Sequence, residues 1–137
     1  CRFGDPETQI LMPMLESDLV DICLAVAENR LEHEDVRWSE TAHTFVVAVS
    51  DGYPGSYDTG VEISGIGAAA EHGIVFHAGT TRNHDGVLLT SGGRVLGVTG
   101  SGESIKGARD SAYAGIDEIS FEGMRFRRDI AERAIED

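Results

Sequence analysis

Seventeen glycines punctuate this chain of 137 residues, many of them bracketing short β-branched runs, and that spacing limits the folds open to it. Average glycine usage is about 7%, so the excess marks a protein of many short strands joined by tight turns. His43 to Ser50 is β-branched and aromatic and reads as a buried strand running into the Gly-Pro turn of Asp51 to Gly60. Gly73 to His77 and Gly86 to Thr90 read as further strands. Gly92-Gly93 ahead of Arg94 to Thr99 carries the two-residue hairpin signal.

Helical patterns flank this β-rich centre. Ser17 is placed to cap a helix with Asp18 and Asp21 in its first turn, where carboxylates favour the positive helix end. Leu19, Ile22, Cys23, Val26 and Ala27 follow at helical spacing, which predicts one buried stripe. Ile105, Ala108, Ala112, Ile116 and Ile119 make a second such stripe. A short strand or turn near Phe121 to Phe126 and a terminal helix from Asp129 close the chain. Helix, small sheet, helix is an α+β arrangement.

The formal charge of -13, with Lys106 the single lysine against ten arginines, excludes a positive face for nucleic acid. The same acidic excess suits a surface kept soluble in concentrated salt. No apolar run approaches the ~20 residues of a membrane span. Two cysteines, Cys1 and Cys23, give no disulfide framework, so a reducing, cytoplasmic setting is expected.

The opening run Arg2-Phe3-Gly4-Asp5-Pro6-Glu7-Thr8-Gln9 places charges on a tight turn and reads as the tail of a motif whose beginning is missing. Later come Asp51-Gly52-Tyr53-Pro54-Gly55, Phe76-His77-Ala78-Gly79-Thr80 and Ser91-Gly92-Gly93-Arg94-Val95-Leu96, and near the end the run from Arg125 to Ala134. In this order the motifs resemble the phosphoribosylamine-glycine ligase family, also called glycinamide ribonucleotide synthetase, among the ATP-grasp carboxylate-amine ligases. The resemblance covers nearly the whole chain. It implies the end of an ATP-grasp domain over residues 1–35 and a small β-rich C-terminal domain over 36–137, of the rudiment hybrid-motif kind.

What the resemblance implies for function is a ligase of purine biosynthesis. Glycine is phosphorylated by ATP to a glycyl phosphate, and 5-phosphoribosylamine displaces the phosphate. ATP and magnesium are the implied cofactors, with the magnesium ligands of an E-x-N-x-R motif expected just upstream of Cys1 and its arginine falling on Arg2. No metal site is expected in the chain itself. Glycine, phosphoribosylamine and ATP are the implied substrates, and the missing N-terminal and ATP-grasp parts of the same protein are the implied partner. Alone, the chain is expected to be inactive. Two departures stand out: Met14, where many members carry a basic residue, and Ala131, where a glycine is usual.

Arg2 is the first candidate site residue, because a guanidinium fork matches a carboxylate or acyl phosphate and stays charged when desolvated. Its bland alternative is an ion pair with Asp5 or Glu7 that holds the turn. Those two carboxylates could instead orient Arg2 or accept from a substrate amine. Gly92, Gly93 and Arg94 form the second candidate: glycines let the backbone approach a ligand, and the arginine could hold a ribose 5-phosphate. A plain hairpin with a solvated arginine is the alternative there. Gly100 to Gly107 misses phosphate-loop spacing and reads as a helix start. The five histidines show no ligand spacing, Tyr53, Pro54 and Tyr57 read as turn packing, and Arg125, Arg127 and Arg128 read as a solvated strand face. Two other classes stay open: a noncatalytic packing or binding module, and another ATP-grasp ligase.

Overall fold

The computed structural model describes residues 2–135, so the break read at Cys1 lies outside the described residues. Two helices, α1 (Thr8–Met14) and α2 (Leu19–Ala27), and a 3-10 turn (Leu31–His33) lead into strand β1 (Ala42–Ser50). After a long loop come a short helix α3 (Ile66–Ala69) and strands β2 (Ile74–His77), β3 (Thr80–Arg82), β4 (Leu88–Thr90) and β5 (Arg94–Gly102). Helix α4 (Ile105–Glu118), strand β6 (Met124–Arg125) and a 3-10 turn (Glu132–Ala134) follow. The α+β expectation is met.

β1 and β5 are the long central strands of an antiparallel sheet ordered β2-β5-β1-β6. Val46 pairs with Val98 and Ala48 with Leu96, so residues of one parity share a face. That face takes α4. Gly100 of β5 lies against Ala108 and Ala112, and Val98 against Gly115, with small residues on both sides letting helix and sheet approach closely. Ala108, Ala112 and Ile116 are fully buried there with Val46, Val95 and Val98, each large side chain contributing roughly 1.5–3 kcal/mol. Ile105, expected in the same stripe, is exposed at the first turn. Ser104 caps α4 by accepting from the Gly107 amide at 3.1 Å, so the glycine-rich run is a helix start.

The opposite face carries Phe45 edge-on to Phe76, their centroids 6.1 Å apart. α1 lies on this side, where the buried Thr99 hydroxyl donates to the Gln9 carbonyl at 2.7 Å.

Four expectations are corrected. Asp18, not Ser17, caps α2, accepting from Val20 N at 2.7 Å; Ser17 Oγ instead takes the Arg37 amide and donates to Asp35 O, closing the following loop. α2 does not bury the expected stripe. Only Ala25 is buried, while Cys23, Val26 and Ala27 are exposed, because the described chain offers no surface to cover them. Gly92-Gly93 does not close a hairpin. β4 pairs with β3, and its Thr90 amide donates to Val61 O, so the two glycines carry the chain from the small β3-β4 sheet to the large one. Among the described residues no α-helix forms from Asp129, because Ala131 sits in the left-handed region at φ 61° and only a 3-10 turn follows.

Candidate functional site

The opening turn is built by short-range bonds. Thr8 caps back onto the Gly4 carbonyl through both its amide and its hydroxyl, and the carboxylate end of the Glu7 side chain folds over Gly4. Arg2 projects from this turn, exposed, with Nη1 donating to its neighbour's carbonyl, Phe3 O, at 3.2 Å. Among the described residues no ion pair engages it. Arg2, Phe3, Gly4, Glu7 and Leu11 line an open hollow of about 800 Å³.

Asp5 does not orient Arg2. Its Oδ2 accepts from Arg94 Nη2 at 2.6 Å and its carbonyl from Arg94 Nη1 at 3.1 Å, while its Oδ1 accepts from Gln9 Nε2 at 3.2 Å. Two candidates 89 positions apart therefore meet through a guanidinium fork. Arg94 stands at the start of β5, and its side chain is 38% exposed. The second tether, Thr99 to Gln9, lies farther along the same strand. One amide oxygen, Gln9 Oε1, is buried without a partner among the described residues.

Gly92 and Gly93 are glycines for an internal reason. A β-carbon on Gly93 would strike the rings of Tyr53 and Tyr57, and one on Gly92 would press on Gly79 Cα at 3.1 Å. Their carbonyls are taken by Ser50, through its hydroxyl to Gly92 O at 3.2 Å and its amide to Gly93 O at 2.8 Å. The tyrosine pair, 6.3 Å between centroids, thus packs the turn after β1 onto this crossing.

Beside Arg94 the sheet face opens into a trough of about 480 Å³ whose floor is Phe45, Val47, Val49 and Phe126. Arg125 and Arg127 line it with Arg94. Each is held by an aspartate: Arg125 Nε donates to Asp51 at 3.2 Å, and Arg127 reaches Asp129 at 2.9 and 2.7 Å. These bonds hold both carboxyls below the usual range, Asp51 through Arg125 and Asp129 through Arg127. Arg128 faces elsewhere, over the Phe126 ring and toward Asp117. Arg125, Arg127 and Arg128 are all exposed, as the solvated-face reading expected, but they do not share one direction. The residue that would have separated them is Phe126, whose burial against Ile130 and Tyr113 turns the segment inward.

The segment after β6 is strapped to α4. Arg109 donates to Ile130 O and Arg128 O at 2.9 and 2.7 Å, and the Tyr113 hydroxyl donates to Arg127 O and accepts from the Ile130 amide. Among the described residues no cluster of three or more His, Cys, Asp or Glu could hold a metal ion. No helix among the described residues is long and apolar enough to cross a membrane. His77 and His43 are engaged locally, with Thr80 Oγ1 and Thr41 O, both at 3.1 Å.

Residues 43–133 match the family model described as phosphoribosylglycinamide synthetase, C domain. A phosphoribosylamine–glycine ligase of Neisseria meningitidis serogroup A is 47% identical over 135 residues, covering 98% of this chain and 32% of that relative. The bifunctional purine biosynthetic protein purD of Dictyostelium discoideum is also 47% identical, over 98% of this chain and 17% of its own length. In the solved structures, the phosphoribosylamine–glycine ligase of Thermotoga maritima superposes with a TM-score of 0.76 at 34% identity, over 93% of this chain and 31% of that one. The chain thus spans a third or less of the length of these relatives. The match of residues 43–133 to the family model, with the shared fold of the solved relative, shows that the chain belongs to the phosphoribosylglycinamide synthetase family, as a C-domain member.

Proposed function

We propose that this chain is the C-terminal part of an ATP-dependent ligase that joins glycine to 5-phosphoribosylamine, giving glycinamide ribonucleotide, ADP and phosphate. The observation that carries the reading is the match over nearly the full chain to relatives named phosphoribosylamine–glycine ligase. Residues 1–35 would close the ATP-grasp domain, and 36–137 would form the C domain. Support for that division comes from α2: Val20 is 65% and Val26 55% exposed, as suits a helix covered by the rest of a longer protein.

Within this reading Arg2 contacts the glycine carboxylate or the acyl phosphate. Both steps gather negative charge at one carbon, and an exposed, unpaired guanidinium on a rigid turn supplies compensating charge without rearranging. Asp5 and Glu7 shape that turn. Arg94, with Gly92 and Gly93 behind it, holds the ribose 5-phosphate. Magnesium would be held outside this chain, and ATP would bind across its missing partner domain. The setting is the cytoplasm.

The test is to express the complete parent polypeptide and assay glycinamide ribonucleotide formation from glycine, phosphoribosylamine and ATP·Mg. Turnover is expected from the parent and none from the 137-residue chain. A folded parent without turnover would favour the noncatalytic-module reading.

A further inference from the structure

Pro13 stands inside α1, the sixth of its seven residues. A proline has no backbone N–H, and in a helix that N–H would bond the carbonyl four residues back. For Pro13 the carbonyl in question belongs to Gln9, so the sequence of the helix leaves Gln9 O without its own helical donor. The fold supplies one from 90 positions away: the Thr99 hydroxyl, on β5, donates to Gln9 O at 2.7 Å. Thr99 is 2% exposed, so this bond is made out of water, where an unanswered carbonyl is costly.

Gln9 passes the anchorage forward. Its side-chain Nε2 donates to Asp5 Oδ1 at 3.2 Å, and its neighbour Thr8 is bonded to the Gly4 carbonyl through both amide and hydroxyl. Gly4 lies two residues from Arg2. Among the described residues Arg2 is itself bonded only within the turn, to Phe3 O. The turn, and not a partner of its own, therefore aims the guanidinium.

We propose that Thr99 is a positioning residue: through Gln9 it fixes the turn that carries Arg2 against β5, and Pro13 opens the acceptor it uses. Arg94 reaches the same turn at Asp5, but that pair is exposed on both sides, 38% and 54%, and solvent weakens it. The Thr99 bond is buried and neutral, so salt and arriving anions do not compete for it. Thr99 touches no substrate in this scheme. Its effect on the reaction passes through Arg2, whose charge stabilises a transition state only if it is already in place, and that part rests on the ligase reading above.

Thr99→Val keeps the shape and removes the hydroxyl, whereas Thr99→Ser keeps the donor. In the 137-residue chain, amide exchange at Thr8, Ile10 and Leu11 should speed about fivefold for Thr99→Val and stay near wild type for Thr99→Ser. Unchanged exchange in Thr99→Val would overturn the tether. In the parent, Thr99→Val should lower kcat roughly tenfold with the KM for ATP unchanged, and Thr99→Ser should restore most of the rate. Arg2→Ala/Thr99→Val should be no slower than Arg2→Ala alone, because the two residues act as one unit. Losses that multiply would reduce Thr99 to a structural contact and sink the proposal. Pro13→Ala returns a helical donor to Gln9 O without restoring the tie to β5. It should relieve the stability loss of Thr99→Val and leave the rate loss, and rescue of both would also overturn the positioning role. If Thr99→Val does not fold, the Pro13→Ala/Thr99→Val variant carries the rate comparison. A parent without turnover would fail the ligase reading and the rate effect with it, whereas exchange decides the tether on the chain alone.

Discussion

Gly100 of β5 lies so close to Ala112 of α4 that a β-carbon on Gly100 would stand 2.9 Å from the Ala112 Cα and nearer still to its amide nitrogen. The obstacle is backbone, which cannot swing aside as a side chain would. Gly100→Ala should therefore push α4 off the sheet and destabilise the chain by about 1–3 kcal/mol or more. Denaturant melts with unchanged m-value would show it, and a stability within about 0.5 kcal/mol of wild type would mean that the helix–sheet seam is looser than its geometry.

Arg2→Ala in the parent ligase should leave the fold intact and depress turnover by two to three decades, on the order of 2–4 kcal/mol of transition-state stabilisation. Arg2→Lys should recover little, since an ammonium cannot reproduce the planar fork. Steady-state kinetics decide the matter; near-wild-type rates for Arg2→Ala would return the residue to a role in the turn.

Tyr113→Phe removes one hydroxyl that both donates to Arg127 O at 2.7 Å and accepts from the Ile130 amide at 3.2 Å. The expected loss is about 1–2 kcal/mol, with faster amide exchange at Ile130. Unchanged exchange there would show that Arg109 alone holds the strap.

Ala131 occupies the left-handed region at φ 61°. A β-carbon there costs roughly 1–2 kcal/mol, against about 0.4–1 kcal/mol of extra unfolded-state entropy for glycine. Ala131→Gly should thus be neutral to stabilising by up to about 1 kcal/mol, readable as a small rise in melting temperature; a clear drop would contradict the backbone geometry.

Acid stability carries a sign set by Asp51 and Asp129, whose carboxyls are held low by the Arg125 and Arg127 hydrogen bonds. A depressed folded pKa contributes stability above the unfolded carboxylate value of about 3.9 and loses it as pH falls through the folded value. Wild type should therefore exceed the Asp51→Asn/Asp129→Asn variant at neutral pH by a gap that closes below about pH 4 and shrinks with added salt. Melting curves across that window, with a gap independent of pH, would exclude the linkage.

The elements with their own local code were legible in the sequence. α4 could be read because the run from Gly100 to Gly107 reads as a helix start and Ala108, Ala112 and Ile116 repeat at helical spacing, and both signals lie within a few turns of backbone. β1 and β5 could be read because β-branched runs bounded by glycine have few other uses. What lay beyond the sequence was every relation between distant segments. Gly92-Gly93 carries a hairpin signal, yet the competing partners β3 and Val61 take β4 away from β5, a choice made by pairing with residues 6 to 30 positions distant. The stripe on α2 was correctly periodic and wrongly buried, because periodicity describes a face and not what covers it. The candidate site divides the same way. Arg2, Asp5 and Arg94 stand out as charges on glycine-flanked turns, which is a local property, but the choice of Arg2 as a site residue over an ion pair within the turn came from the family resemblance. That Asp5 closes on Arg94, and that Arg125 and Arg127 join it over an apolar floor, follows only from the packing of one sheet face, where side chains far apart in sequence meet within hydrogen-bond reach.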